Sequence, residues 1–213
     1  MDIGAEPAAV PLPMFPLGGV LVPGALLPLH VFEPRYQALV HDCLRDRGEF
    51  GVVLIERGWE VGGGDVRFGV GTVAHIRETA PLGDGRWALV AVGTRRLRVV
   101  SWLPDDPYPL ALVEELPEEP FPEDGASALR EAEGAVRRAL ALAGELGEAP
   151  APATFALHPE PELASWQLAA VAPLGPVDQQ RLLEAAGHAE RLPLLTAMAA
   201  DAAAGLAYRL SGG

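Results

Sequence analysis

The chain has 213 residues, of which 49% are hydrophobic and 21% are charged, a composition typical of a folded globular protein. All 16 basic residues are arginine, and 29 acidic residues bring the formal net charge to −13. Because a strongly acidic protein repels polyanions, we predict no binding to nucleic acid or to anionic membrane surfaces.

Two further features of the composition indicate the source and compartment. Lysine and asparagine are absent, while Ala, Gly, Pro and Arg are plentiful, which indicates a gene from a GC-rich bacterium. The single cysteine, Cys43, excludes an intrachain disulfide. This favours the reducing cytoplasm.

The first long apolar segment spans residues 8–32 and is almost free of charge, so its length fits a membrane-spanning helix. Five prolines interrupt it, however, and each removes a backbone donor that lipid cannot replace. Asp2 and Glu6 precede it, instead of the basic residues of a signal peptide. We therefore predict short strands separated by turns at 18–19 and 23–24.

A helix is predicted to follow, because apolar residues recur at helical spacing from Tyr36 to Leu44. Pro34 suits its first turn and Gly48 suits its end. Strand-forming segments come next, at 50–55, 70–78, 87–92, 96–99 and 108–113.

Many short strands around one helix predict a small, closed or nearly closed barrel. Within the fourth of these segments, Arg96 and Arg98 are expected to face outward, since they alternate with apolar residues.

The sequence becomes acidic and proline-rich at 114–125, which marks a domain boundary. Beyond it, apolar residues at helical spacing form four stripes, and Pro193 lies near the start of the last one. The predicted fold is therefore α+β, with a β-rich barrel at 10–116, an acidic linker at 117–126 and a helical bundle at 127–210.

No catalytic, cofactor or metal site is predicted. Without lysine, the chain has neither a phosphate-binding P-loop nor a Ser–Lys dyad, and no serine lies in a nucleophile elbow. Residues 69–74 match the spacing of a dinucleotide fingerprint, but they lead into a strand, so we predict a close approach of two backbones instead. The five histidines lie at no metal-ligand spacing, and Cys43 is expected to be a buried thiol.

Several motifs, in this order, resemble the substrate-binding domain of Lon protease over residues 12–210. They are Met14-Phe15-Pro16-Leu17, Val22-Pro23-Gly24, the run 27–36, Phe50-Gly51-Val52-Val53-Leu54, the run 70–74, the run 92–97, Gln180-Arg181-Leu182-Leu183-Glu184 and Glu190-Arg191-Leu192. The resemblance implies a PUA-like barrel followed by a helical bundle. It also implies a module that selects protein substrates without hydrolysing them.

The expected function is therefore that of a non-catalytic, ATP-independent polypeptide-binding module, standing alone without ATPase or peptidase domains. It would act as an adaptor or a holder of non-native proteins, and a separate protease or ATPase could work with it in trans. Two alternatives stay open: a PUA-like RNA-binding domain, which the charge disfavours, and a small-molecule-binding protein with a pocket between barrel and helices.

A receptor for unfolded chains needs exposed apolar side chains or a free strand edge. The residues predicted to form the polypeptide-binding surface are Phe15, Leu17, Leu29, Phe32, Glu33, Arg35, Tyr36 and Trp59. Trp59 is favoured because it lies beside a glycine-rich turn. For the apolar residues the alternative is a place in the core, and for Glu33, Arg35 and Tyr36 it is a local arrangement that caps the helix.

Overall fold

The computed structural model describes residues 9–57 and 66–212 of the chain. It has the predicted mixed α+β class, with a six-stranded sheet and five helices among these residues. The chain divides into two compact units, Met1–Pro117 and Glu118–Gly213. The first unit contains β1 (Val10–Leu17), β2 (Leu26–Val31), α1 (Pro34–Arg45), β3 (Glu49–Arg57), β4 (Val66–Gly83), β5 (Arg86–Leu103) and β6 (Leu110–Glu115).

Helix α1 begins at Pro34, as predicted, and Tyr36, Leu39 and Val40 form its buried stripe. Its last turn is followed by Gly48, whose φ of 71° suits a residue without a Cβ. The buried stripe packs on residues of the sheet such as Phe15, Phe50, Val31 and Leu89. The helix is thus fixed to the sheet by apolar packing.

Strands β4 and β5 are each 18 residues long, and both exceed their predictions. The segments predicted separately at 87–92 and 96–99 are one continuous strand. Long-range pairing explains the difference, because β4 and β5 pair with each other from the Val70–Arg98 register to the Gly83–Arg86 register. The strand propensity of a short segment does not show which distant segment it pairs with.

The hydrogen-bonded strands follow one another in the order β2, β5, β4, β3, β1, β6, and β6 pairs again with β5. The pairing of β1 with β3 is parallel, and every other pairing is antiparallel. Five strands therefore form a ring of pairings, and each contributes at least one residue to a common apolar cluster. The buried residues of this cluster are Met14, Val53, Val73, Leu97, Ala111 and Val113.

Strand β2 lies outside this ring. It pairs with residues 87–92 of β5, while residues 97–103 on the same edge of β5 pair with β6. Gly93 lies where one partner is replaced by the other: its N–H donates to the Ala25 carbonyl at 2.9 Å, and its carbonyl accepts from the Gly24 N–H at 2.9 Å. A Cβ on Gly93 would overlap the Val22 carbonyl oxygen, so the switch requires glycine.

The prediction that Arg96 faces solvent is wrong, because this residue is only 2% exposed. Its Nη2 donates to the Pro117 carbonyl at 3.0 Å, and its own carbonyl accepts from the Leu116 N–H at 3.1 Å. The residues that follow β6 cover this side chain. A period-two pattern cannot reveal such cover from a distant segment.

The close approach predicted within 69–74 is confirmed at Gly71. A Cβ at this position would overlap the carbonyl oxygen of Val52 on the neighbouring strand. Gly69 is two residues away on the same strand, and a Cβ there would meet nothing within 4 Å.

The second unit contains α2 (Ala126–Glu145), α3 (Pro161–Val171), α4 (Pro176–Glu184) and α5 (His188–Leu210). Arg191 of α5 is buried and connects several helices of the second unit. Its Nη2 donates to the Glu118 carboxylate at 2.8 and 3.0 Å, its Nε donates to the Leu182 carbonyl at 3.2 Å, and its guanidinium carbon lies 3.3 Å from the centroid of the Trp166 ring. One cation thus holds α5, α4, α3 and the segment before α2.

We predict that Gly71→Ala lowers the free energy of unfolding by about 2 kcal/mol, because the added methyl group overpacks two strands. Gly69→Ala is the matched control and should leave the stability nearly unchanged. Urea denaturation of both variants measures the difference. Equal midpoints for the two variants would show that the strands do not approach each other here.

We predict that Arg191→Met lowers the free energy of unfolding by about 3 kcal/mol, because it removes one partner of a largely buried ion pair. Arg209→Met is the control, since Arg209 and its partner Glu148 are both about half exposed. Unfolding followed by circular dichroism compares the two. A similar loss in both variants would contradict the central role of Arg191.

Candidate functional site

Two of the predicted binding residues, Phe15 and Tyr36, are buried. Their rings stack with centroids 4.0 Å apart and an interplanar angle of 12°, and the Phe15 ring lies 6.1 Å from that of Phe50. Both rings therefore contribute to the packing of α1 on the sheet and leave little area for a partner.

The remaining apolar members of the predicted set differ in exposure. Leu17 and Leu29 are partly buried and pack against the core cluster beneath α1. Phe32 is 53% exposed, and its ring centroid lies 6.3 Å from that of His30. Trp59 lies outside the residues that the structure describes.

Glu33 and Arg35 form a local ion pair at the start of α1. The Arg35 Nε donates to Glu33 Oε2 at 3.1 Å, and the guanidinium carbon lies 4.5 Å from the centroid of the Tyr36 ring. The Glu33 carbonyl accepts from the N–H groups of Tyr36 and Gln37 at 3.0 and 2.9 Å. These contacts favour a local arrangement of the three residues at the start of α1, although the Glu33 side chain makes no hydrogen bond that caps the helix.

An exposed apolar surface that the sequence analysis missed lies on the outer face of β2. Side chains alternate along a strand, so Leu27, Leu29 and Val31 point toward the core, and Leu26, Pro28 and His30 point outward. Leu26 is 68% exposed, and Phe32 continues the row. We call this surface the β2 face; it consists of Leu26, Pro28, His30 and Phe32 with Ala88 and Val90 of β5.

A shallow cavity of about 490 Å³ lies on this face. Glu78 is the one charged residue among those that line it, and the others are apolar, histidine or threonine. The lining residues are Pro28, Leu29, His30, Glu78, Thr79, Ala80, Ala88, Leu89 and Val90. Such a groove offers apolar area with little competing charge.

The backbone of β2 offers hydrogen-bonding groups beside the same face. Within the described ranges, β2 pairs with β5 and with no other strand. Hydrogen bonds alternate along an antiparallel ladder, and the bond from the Gly93 N–H to the Ala25 carbonyl fixes the phase. Leu27, Leu29 and Val31 therefore direct their polar groups to β5, and Leu26, Pro28 and His30 direct theirs to the open side, here called the β2 edge.

Pro28 was the signal that could have located this edge. Proline has no N–H to donate and is confined to edge strands, strand starts and bulges. A proline within the apolar run 26–32 therefore indicated an edge strand. Because successive side chains of a strand point to opposite faces, a run that is apolar at nearly every position also indicated an apolar outer face.

A second cavity, of about 640 Å³, lies at another part of the first unit, and several of its polar side chains pair with one another. Arg95 donates to both oxygens of Glu49 at 2.8 and 2.9 Å, which lowers the pKa of that carboxyl. The Tyr108 hydroxyl donates to Asp42 at 2.9 Å, and burial with this bond raises its pKa to about 12.

Cys43 also lines this second cavity. Its thiol is buried, as predicted, and donates to the Glu49 carbonyl at 3.2 Å. Burial and the neighbouring Asp42 and Asp46 raise its pKa to about 12. The thiol is therefore protonated at neutral pH and is a poor nucleophile.

The described residues contain neither a cluster of metal ligands nor a membrane-spanning helix. No three His, Cys, Asp or Glu side chains within 9–57 and 66–212 gather closely enough to hold a metal ion. Over the same ranges, no helix combines the length and hydropathy that crossing a membrane requires.

Comparison with known proteins gives the same relationship from a family model and from individual sequences. A family model described as the ATP-dependent protease La (LON) substrate-binding domain matches residues 11–201. Lon protease of Anaeromyxobacter dehalogenans is 35% identical over 115 residues, which is 53% of this chain and 14% of that protein. Lon protease 2 of Myxococcus xanthus is 38% identical over 106 residues, covering 48% of this chain and 13% of that protein. The chain thus spans about one seventh of the length of these relatives.

Solved structures match more of the chain. A Lon N-terminal domain protein from Xanthomonas campestris has a TM-score of 0.64 and 29% identity, and the match covers 88% of this chain and 98% of that one. The N-terminal domain of a Mycobacterium avium complex Lon protease has a TM-score of 0.63, with 90% of this chain and 99% of that one covered. At 16% identity, this second match shows the fold alone.

Proposed function

This chain belongs to the LON substrate-binding domain family, and on that premise we propose that it is a non-catalytic module that binds non-native polypeptides on the β2 face and the β2 edge. The observation that carries the proposal is an exposed apolar row, from Leu26 to Phe32, directly beside a strand edge that pairs with no other strand in the described part of the chain.

The chemistry of an unfolded client fits this surface. A non-native chain exposes apolar side chains together with backbone N–H and C=O groups that lack partners. Leu26 and Phe32 offer apolar area that is exposed to water in the free protein and that a bound client would cover. The β2 edge offers backbone donors and acceptors. The same surface therefore meets both needs of the client.

The alternative of RNA binding is weaker on electrostatic grounds. Three of the four arginines of β5 are already engaged: Arg95 pairs with Glu49, Arg98 pairs with Glu114 at 3.1 Å, and buried Arg96 donates to the Pro117 carbonyl. With a net charge of −13, the remaining field opposes a polyanion. A small-molecule site is also less favoured. The cavity on the β2 face is shallow and open, and in the second cavity Arg95 already binds Glu49 and Tyr108 already binds Asp42.

The finer aspects of the role are part of the proposal. We place the protein in the bacterial cytoplasm as an adaptor or holder of non-native proteins, with no hydrolytic activity of its own and with a separate protease or ATPase as its partner in trans. The ring of strand pairings is proposed to be a closed PUA-like barrel at 10–116, joined through 117–126 to a helical bundle at 127–210.

The test uses fluorescence anisotropy of a labelled, permanently unfolded polypeptide titrated with the protein. We expect saturable binding, and the double variant Leu26→Ser, Phe32→Ser should weaken it about tenfold, since the two apolar anchors together should contribute about 1–2 kcal/mol to the interface. The folded form of the same polypeptide should not bind.

Val100→Ser is the matched control. Val100 is also 53% exposed and lies on β5, but in the part that pairs away from β2. This variant should bind as tightly as the parent protein. Absence of binding to the unfolded polypeptide, or the same loss from Val100→Ser, would contradict the proposed site.

A further inference from the structure

The geometry of β2 points to the form in which a client is bound, an inference that rests on the proposed function. We propose that the client enters as an additional β-strand on the β2 edge, with apolar side chains at alternate positions. We further propose that Pro28 allows this edge to pair with an extended client segment but disfavours its pairing with β2 of a second copy of the protein.

The first step is the supply of hydrogen bonds. The carbonyl groups of Leu26, Pro28 and His30 face the open side of β2. The register with β5 explains this, because the backbone groups of the intervening residues form hydrogen bonds to β5. Leu26 and His30 also present N–H groups there, whereas Pro28 has none. An added strand thus finds acceptors at three consecutive outward positions and donors at the two outer ones.

The second step concerns the side chains. Residues of an added strand that lie opposite Leu27 and Leu29 point to the core side of the sheet. There they cover the part of these two leucines that the core leaves exposed, since both are only partly buried. Cross-strand apolar pairs of this kind stabilise a sheet. The intervening residues lie opposite Leu26, Pro28 and His30 and share the outer face.

The third step distinguishes the client from a second copy of the chain. If two β2 strands paired antiparallel about Pro28, both central donors would be missing, and each copy would donate only from Leu26 and His30. Proline on an edge strand is a known protection against such self-pairing. A client with a full set of donors and acceptors loses only the one bond that Pro28 cannot supply.

Charge adds a preference to the proposed class of client. Glu78 is the charged residue of the groove on the outer face, and the protein carries a net charge of −13. An extended segment that is neutral or basic is therefore accepted more readily than an acidic one.

The probe is a labelled peptide of alternating valine and threonine with an arginine at each end, titrated by anisotropy. Copies of the peptide carry one N-methyl group at successive positions, which removes one donor at a time. We expect binding to weaken about three- to tenfold at alternate positions and to change little at the positions between, since only every second N–H of an added strand faces β2.

Variants of the protein give a second, independent readout. Pro28→Val supplies the missing donor and should tighten peptide binding about threefold or more. It should also make the protein associate with itself as its concentration rises, measured by analytical ultracentrifugation. His30→Pro removes the N–H that faces the open side and should weaken binding. His30→Thr removes the same imidazole but keeps the N–H, so weaker binding by His30→Pro than by His30→Thr measures the effect of that donor. Circular dichroism establishes that each variant is folded.

The outcomes separate this inference from the function on which it rests. If the unfolded polypeptide binds but the peptide does not, or if N-methylation acts equally at every position, strand addition is wrong and polypeptide binding stands. If neither the polypeptide nor the peptide binds, both proposals are wrong. Because N-methylation changes the peptide and not the protein, its result does not depend on the stability of a variant.

Discussion

The first unit depends on the way that one edge of β5 is divided between two strands. Residues 87–92 pair with β2, and residues 97–103 pair with β6. Strand β6 continues the pairing to β1 and so completes the ring, but β2 has no partner on its other side within the described ranges. Gly93 permits the change of partner, since any Cβ there would overlap the Val22 carbonyl oxygen. The backbone geometry at Gly93 thus allows five strands to form a ring while β2 stays outside it.

The consequences of that division extend from packing to function. Each of the five strands of the ring buries at least one side chain in a common cluster, which includes Met14 and Leu97. Strand β2 contributes no residue to that cluster; one of its faces lies against the core beneath α1 and the other lies in solvent, where Leu26 is largely exposed. An open strand with an apolar outer face invites aggregation unless its pairing is controlled. We propose that Pro28 provides that control in this chain and that the same open edge leaves room for a client.

Local chemistry made much of the fold predictable. The start of α1 at Pro34, its buried stripe and the close approach at Gly71 follow from residue type and spacing, and the structure confirms them. The extent of β5 and the burial of Arg96 did not follow, because both depend on segments that are distant in sequence. Of the predicted surface residues, Phe32 is exposed and Phe15 is buried. Apolar character alone cannot separate the two, since that requires knowing which strands pair and on which side.

Backbone hydrogen exchange at β2 tests the central claim most directly. In the free protein, the outward N–H groups of Leu26 and His30 should exchange quickly with solvent, and those of Leu27 and Leu29 should be protected by their bonds to β5. Addition of a saturating unfolded polypeptide should slow exchange at Leu26 and His30 and leave the inward pair unchanged. Unchanged exchange at these two amides, with protection appearing elsewhere on the protein, would contradict the account.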